Sequence, residues 1–414
     1  MSEPGPRQRL LASSTLRRLG TLLPSGRWLL TGGSLRDRLL GRRSHDFDLV
    51  VLGDALEGAR SLTEILGGTL VRLGNGPNTT WRVVSSPWQL DVWGVSGPLA
   101  RDVRRRDFTV NALMWWLPSG PLVDLAGGVE DLHAGRLCLV DPANLRADPL
   151  RVLRGFRLAA THPELRLTGT AEEELARAAP GLQRVAGERV REELRLLARG
   201  DAAPRTLSAM LRLGILAPLT NLRIQAEPVK QELSALLAAL GFRFLPLLRH
   251  RSELTPLPLV MGRCDEFRDS PQQTITERLS ALGWPERRAA ALANAAAEGE
   301  HLIPTLCAGN QRQLRERLVS VSRPLESLAW AAARVRAMDR DLPAEMVKEL
   351  AAWWRRFAAR RPPLHGSEIA ELLDLPPGPA RARAVRDLRA ARARGEVRTA
   401  EQARRWLMQR HERY

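Results

Sequence analysis

The sequence predicts an α+β protein: a small mixed sheet with helices over residues 1–140, then an all-helical remainder. Three observations carry this. Short β-rich runs cluster in the first third, separated by Gly, Pro and Asn. From about Leu145 onward Leu, Ala, Arg and Glu dominate, and a 3.6-residue apolar period persists. The chain has 414 residues, 44% hydrophobic and 26% charged, enough for several folded domains and too apolar for a disordered chain.

The elements follow in order. Arg7–Leu23 reads as a helix, with Leu10, Leu16, Leu19 and Leu23 near helical spacing. Trp28–Thr31 is a short strand running into Gly32-Gly33, and Ser34–Leu40 reads as a helix start. Asp46–Leu52 is a second strand and Leu56–Leu66 a helix. Thr69–Leu73, Thr79–Val84 and Gln89–Val92 are further strands. Beyond them, breaks such as His162-Pro163, Ala217-Pro218, Trp284-Pro285 and Pro376–Pro379 divide helices joined by short turns.

Composition excludes other classes. Three scattered cysteines, Cys138, Cys264 and Cys307, make neither a disulfide framework nor a zinc site. No apolar run reaches the ~20 residues of a membrane span, and Met1–Arg9 lacks a signal-peptide core. A cytoplasmic protein without membrane contact is expected. The formal net charge is +17, carried almost entirely by arginine, with Lys230 and Lys348 the only lysines. Such an excess points to a polyanionic partner.

The chemistry starts at Asp46-Phe-Asp48. Residues two apart on a strand project to one face, so both carboxylates do. They repel unless a cation lies between them. Mg²⁺ suits, because it takes oxygen ligands and also grips phosphates. Asp91, on another predicted strand, is a third acid; three convergent acids could hold two metals. Gly32-Gly33-Ser34 lies between strand and helix, where backbone N–H groups can approach phosphate oxygens. Either motif alone is common in turns and strand ends; the two together at this spacing are not.

Two further strings are distinctive: Arg105-Arg-Asp-Phe-Thr-Val-Asn-Ala-Leu113 and Asp148-Pro-Leu-Arg-Val-Leu-Arg-Gly-Phe-Arg157. With Gly32–Asp37 and Asp46–Asp48, in this order, they closely resemble the class II tRNA nucleotidyltransferase and bacterial poly(A) polymerase family. Gly187-Glu-Arg-Val-Arg-Glu-Glu-Leu194 is similar to the family's neck helix, and Gly366, Pro377-Gly-Pro379 and Gly395–Thr399 to its tail. The resemblance spans nearly the whole chain, with Asn221–Ala344 weakly diagnostic. It implies a polymerase-β-type nucleotidyltransferase head at 1–140, a helical neck with a nucleotide-selecting helix at 141–216, a body at 217–345 and a basic tRNA-binding tail at 346–414.

The resemblance also implies Mg²⁺-dependent transfer of a nucleotide from an NTP to the 3′-hydroxyl of tRNA. Asp46 and Asp48 would be metal ligands, and Asp91 the third, assisting deprotonation of the primer. Gly32, Gly33, Ser34 and Arg36 would lie at the triphosphate, with Arg106, Asp107 and Asn111 at ribose and phosphates. Asp37 is expected to be structural, pairing with a nearby arginine or capping a turn. Pro149 suits the first helical position, making Asp148 the N-cap. Asp148 and Arg151, then Arg151 and Arg154, are i,i+3 neighbours. Arg157 continues the row, which slants around the helix, so Asp148 and Arg157 do not share a face. Neighbouring arginines repel unless an anion lies across them, and a triphosphate suits, so Asp148, Arg151, Arg154 and Arg157 are expected at the nucleotide. In the family, Asp and Arg at the first two of these positions present a base-pairing edge that selects C or A. The residue before Asp148 is usually Glu there and is thought to brace the arginine; here it is Ala147.

A second departure narrows the subgroup. Only thirteen residues, Val92–Arg104, separate Asp91 from Arg105. Full CCA-adding members usually carry a longer, flexible segment there; its shortness resembles the CC-adding subgroup. CTP is then the expected substrate, with a separate A-adding enzyme acting next. The alternatives are an A-adding or full CCA-adding enzyme using ATP, a poly(A) polymerase, or an RNA-binding protein that has lost catalysis. Charge distribution agrees with RNA binding: residues 351–414 hold fifteen Arg and seven acids, net +8. Trp115-Trp116 is read as core, Cys138 as a buried strand residue, His45 as a turn or outer-sphere residue, and His162 as surface or turn.

Overall fold

The computed structural model describes residues 10, 13–23, 27–42, 46–74, 79–220, 271–321, 324–337, 344–359 and 362–414. His45 and the stretch 221–270 lie outside the described residues. The chain divides into two compact units, residues 1–155 with 163–181, and 156–162 with 182–414.

The first unit follows the predicted order closely. Helix α1 (Ser14–Leu22) leads to strand β1 (Trp28–Thr31), helix α2 (Gly32–Leu39), strand β2 (Asp46–Leu52) and helix α3 (Ala55–Leu66). Strands β3 (Thr69–Leu73), β4 (Thr80–Ser85) and β5 (Trp88–Val95) follow, then helix α4 (Leu99–Arg104), β6 (Met114–Trp116) and β7 (Leu122–Val123). These strands form one seven-stranded sheet in the order β3-β4-β5-β2-β1-β6-β7, with β2 and β5 its parallel pair. Strand β2 is central, so after its acidic start it reads Leu-Val-Val, buried on both faces.

One face packs Leu29, Val50, Val95, Val103, Ala112 and Met114 together, with Trp93 and Trp116 alongside. On the other face α3 lies so close that a side chain at Gly58 would meet Trp28 and Val51. Trp115 is fully buried, its Nε1–H donating to the Gly120 carbonyl at 3.1 Å, as a core residue should. Cys138 differs from its expectation: it is half-buried and lies just past the two-residue strand β8 (Arg136–Leu137). Helix α5 (Asn144–Ala147) precedes α6 (Leu150–Thr161), which starts one residue later than Pro149 suggested. His162, at the end of α6, is buried rather than exposed, and its ring nitrogen Nδ1 is 3.0 Å from the Thr161 hydroxyl.

The described part of the second unit is helical. A core of Leu302, Leu306, Leu314, Leu318, Leu328 and Leu350 joins α7 (Glu286–Cys307), α8 (Gln311–Ser320), α9 (Pro324–Ala337) and α10 (Ala344–Ala359). A second core of Ile369, Leu373, Leu388, Val397 and Leu407 gathers α11 (Gly366–Leu372), α12 (Pro379–Arg394) and α13 (Ala400–Met408). Arg383, Arg386 and Arg389 project from α12 into solvent at three-residue spacing. No described helix is long and apolar enough to cross a membrane.

Phe108 shows how tightly the first unit is fitted. It is fully buried, and a methyl at Gly155 would come within 2.7 Å of its ring. Phe108→Ala is expected to cost about 3–5 kcal/mol of that unit's stability. Urea denaturation followed by tryptophan fluorescence measures it.

Candidate active site

Strand pairing builds the site. Asp48 on β2 stands opposite Asp91 on β5 and, on its other side, Thr31 at the end of β1. Arg82 on β4 stands opposite Asp91. One row across the sheet therefore reads Arg82, Asp91, Asp48, Thr31. Asp46 lies two residues back on the same face, exposed at the start of β2.

The glycines press against this row. Helix α2 begins at Gly32 rather than at Ser34, with Thr31 as its N-cap. Gly32 has φ +69°, and a Cβ there would lie 2.3 Å from Asp48 Oδ2. The Gly33 N–H donates to the Asp48 carboxylate. Burial pushes the Asp48 carboxyl up from 3.8 to about 6. The Asp91 charge raises it further, while Arg106, the Gly33 N–H and Arg154 pull it down. A carboxylate held in this way is short of positive charge, the condition that a metal ion would relieve.

Asp91 is differently placed. Arg82 grips both its oxygens, Nε to Oδ1 at 2.7 Å and Nη2 to Oδ2 at 2.8 Å. Among the described residues no three His, Cys, Asp or Glu side chains converge as a metal-binding cluster. The expected three-acid set of Asp46, Asp48 and Asp91 forms no such cluster, and Asp91 is paired with Arg82 instead. Asp46 and Asp48 still fit Mg²⁺, which binds through one or two carboxylates plus waters and phosphates.

Ser34 and Arg36, expected at the triphosphate, face inward. Ser34 is buried and its hydroxyl donates to the Thr31 carbonyl at 3.2 Å. Arg36 is buried too. Its Nε and Nη2 donate to Asp37 Oδ1 at 2.9 and 2.6 Å, the pairing foreseen for Asp37, and its Nη1 donates to Asn111 Oδ1 at 2.6 Å. Asn111 Nδ2 then donates to Asp107 Oδ1 at 3.0 Å, and Arg154 Nη1 donates to Asp107 Oδ2 at 3.1 Å. This chain of bonds ties α2 to the helix that carries Arg154. Burial alone would raise the Asp107 carboxyl; the Arg154 charge and the Asn111 and Phe108 hydrogen bonds hold it below the usual carboxylate range.

An open cleft of about 890 Å³ lies beside these groups. Trp81, Trp93, Arg105, Arg106, Asp107, Ala147, Arg151 and Arg154 are among its lining residues. The acids of the row, Gly32, Gly33 and Asp148 are not among them. Arg151 Nε and Nη1 are buried and make no hydrogen bond within the protein. Burial lowers the Arg151 pKa, although the charges of Asp107 and Asp148 oppose the shift. Ala147, where a bracing acid was expected, is exposed. Arg157 does not join the cleft: it belongs to the second unit, where its Nε donates to Glu193 Oε2 at 2.6 Å.

Two contributors went unread in the sequence. Asp102 is buried and accepts from Arg105 Nε, from Arg106 Nε and Nη2, and from Trp93 Nε1. The signal was present, an acid three and four residues before two arginines on one helix turn. Arg82 was legible only through the hairpin: with Ser85 opposite Trp88, Arg82 falls opposite Asp91.

Two family models match the chain. One described as "Poly A polymerase head domain" covers residues 78–138, and one described as "Probable RNA and SrmB- binding site of polymerase A" covers residues 165–221. The chain is 32% identical to the A-adding tRNA nucleotidyltransferase of Deinococcus radiodurans, across 91% of this chain and 93% of that one. It is 30% identical to the CC-adding tRNA nucleotidyltransferase of Geobacter sulfurreducens, across 92% and 91%. Its fold is similar to that of the Thermotoga maritima CCA-adding enzyme complexed with tRNA, with TM-score 0.71, 20% identity and 98% of each chain covered.

Gly32→Ala should cut activity about 10²-fold, since its methyl would displace the Asp48 carboxylate; steady-state kinetics with purified protein measures the loss. The Asp48 shift also predicts a pH effect. Its folded pKa lies above 3.8, so the metal-free fold binds the extra proton and loses stability as pH rises from about 4 to about 6. Asp48→Asn should therefore melt higher than the parent in chelator above that window, and the gap should close below it.

Proposed function

The chain belongs to the tRNA nucleotidyltransferase and poly(A) polymerase family, and from that premise we propose that it transfers CMP from CTP to the 3′ end of tRNA, stopping after two additions. It is an enzyme of the nucleotidyltransferase type. The observation that supports a fixed preference for C is the short link between Asp91 and Arg105. Most of that link is regular structure: β5 ends at Val95, α4 spans Leu99–Arg104, and Asp102 within it anchors Trp93, Arg105 and Arg106. A pocket wall pinned in this way has little room to be reshaped between two bases. A separate A-adding enzyme would then complete the end.

In this reading Arg151 offers its unsatisfied donors to the base edge. Cytosine accepts there through N3 and O2, and Asp148 would accept from its exocyclic amino group. Arg154 and Arg106, held by Asp107 and Asp102, set fixed positive charge beside the phosphates. Asp46 and Asp48 would hold Mg²⁺, which when bound screens the phosphates and lowers the pKa of the attacking hydroxyl. Asp91 would take the proton of the primer 3′-hydroxyl as the new phosphodiester forms and pyrophosphate leaves. The arginines of α12 would grip the tRNA backbone, within a neck at 141–216, a body at 217–345 and a tail at 346–414. A cytoplasmic site of action fits this substrate.

The Deinococcus relative favours a second reading, A-addition onto a CC end. One assay separates the two. Purified protein, Mg²⁺ and tRNA ending before CCA, after C or after CC are supplied with CTP or ATP alone. Two C residues and no A are expected; A added to the CC end would overturn the proposal, and a long A tail on unrelated RNA would indicate a poly(A) polymerase. Asp46→Ala and Asp48→Ala should each reduce addition about 10²-fold or more while tRNA binding persists. Replacing Arg383, Arg386 and Arg389 together by alanine should lower the slope of log affinity against log salt by about 2–3, as read by filter binding.

A further inference from the structure

We propose that Arg82 is a positioning residue that withholds Asp91 from metal in the nucleotide-free protein, so that Asp46 and Asp48 take up a single divalent ion and Asp91 becomes available only when Arg82 lets go. The proposal rests on the reading of Asp46 and Asp48 as metal ligands. Its own observation is the cross-strand clamp. Arg82 and Asp91 are directly paired across β4 and β5, and both carboxylate oxygens are taken, at 2.7 and 2.8 Å. A carboxylate gripped by both prongs of a guanidinium has its best lone pairs committed and makes a poor ligand.

The charges agree. Asp46, Asp48 and Asp91 sum to −3, and Arg82, bonded directly to Asp91, cancels one of those charges. Without Arg82 the same three acids could draw a second ion. The clamp can also open. Its side chains are 33% and 23% exposed, so an entering anion can reach the guanidinium and compete for it. Thr80 and Trp81, beside Arg82 on β4, line the cleft. A triphosphate entering there brings competing oxygens of the kind a guanidinium binds bidentately. A second ion would then arrive together with the nucleotide and not before it.

The test counts Mn²⁺ bound to the full-length protein without nucleotide, by the loss of the free-ion electron paramagnetic resonance signal. The parent should bind one ion tightly. Arg82→Gln should bind two, and Arg82→Gln combined with Asp91→Asn should return to one. Arg82→Lys, which keeps the charge and loses the two-pronged grip, should bind the second ion more weakly than Arg82→Gln does. Retention of the first ion at parental affinity shows that a variant is folded; if Arg82→Gln loses it, Arg82→Lys against the parent carries the comparison. Two ions on the parent, or only one on a folded Arg82 variant, would overturn the proposal and leave the metal reading standing. No ion on the parent would overturn both.

Discussion

Two carboxylates placed side by side on neighbouring strands of a sheet repel each other, and much of the first unit is arranged around that repulsion. Asp48 and Asp91 are in register on the parallel pair β2 and β5. Nothing in backbone hydrogen bonding requires acids there. The surroundings answer the charge from several directions: a backbone N–H from Gly33, the two prongs of Arg82, and the fields of Arg106 and Arg154. Gly32 is a consequence of the same constraint. Only a residue without Cβ lets the chain turn from β1 into α2 against the Asp48 oxygens.

Around that pair lies a buried polar network, from Asp37 through Arg36, Asn111 and Asp107 to Arg154. Each member satisfies the next, which is the condition under which buried polar groups specify one arrangement. Arg151 stands apart from it, with buried donors that nothing in the protein accepts. That contrast divides the arginines by task. Those bonded into the network set geometry, while Arg151, which lines the cleft, keeps buried donors to spare.

The sequence was legible where one periodicity decides. Strand alternation placed Asp46 and Asp48 on one face, and a shift from β-rich runs to helical spacing located the change of architecture. The slant of i+3 steps separated Arg157 from Asp148 but did not remove it from the expected nucleotide site; the structure pairs Arg157 with Glu193 instead. Legibility ended where the question was which face of an element meets its neighbour. Ser34 and Arg36 have the spacing of a phosphate loop, but α2 turns both inward, and spacing along one helix cannot report which side the sheet covers. Arg82 depends on strand register, which the hairpin sets, whereas Asp102 is marked locally by two arginines three and four residues on.

The scarcity of lysine has its own consequence. Both lysines, Lys230 and Lys348, come after residue 181 in the sequence, so the unit holding the acids and the cleft has none. Guanidinium groups keep their charge throughout the habitable pH range and are not substrates for amine acylation. The positive lining of the cleft is therefore beyond the reach of acetylation, the commonest chemical means of erasing cationic side chains. Amine-reactive labels and crosslinkers will find few anchors on this protein, since only two lysines offer a side-chain amine.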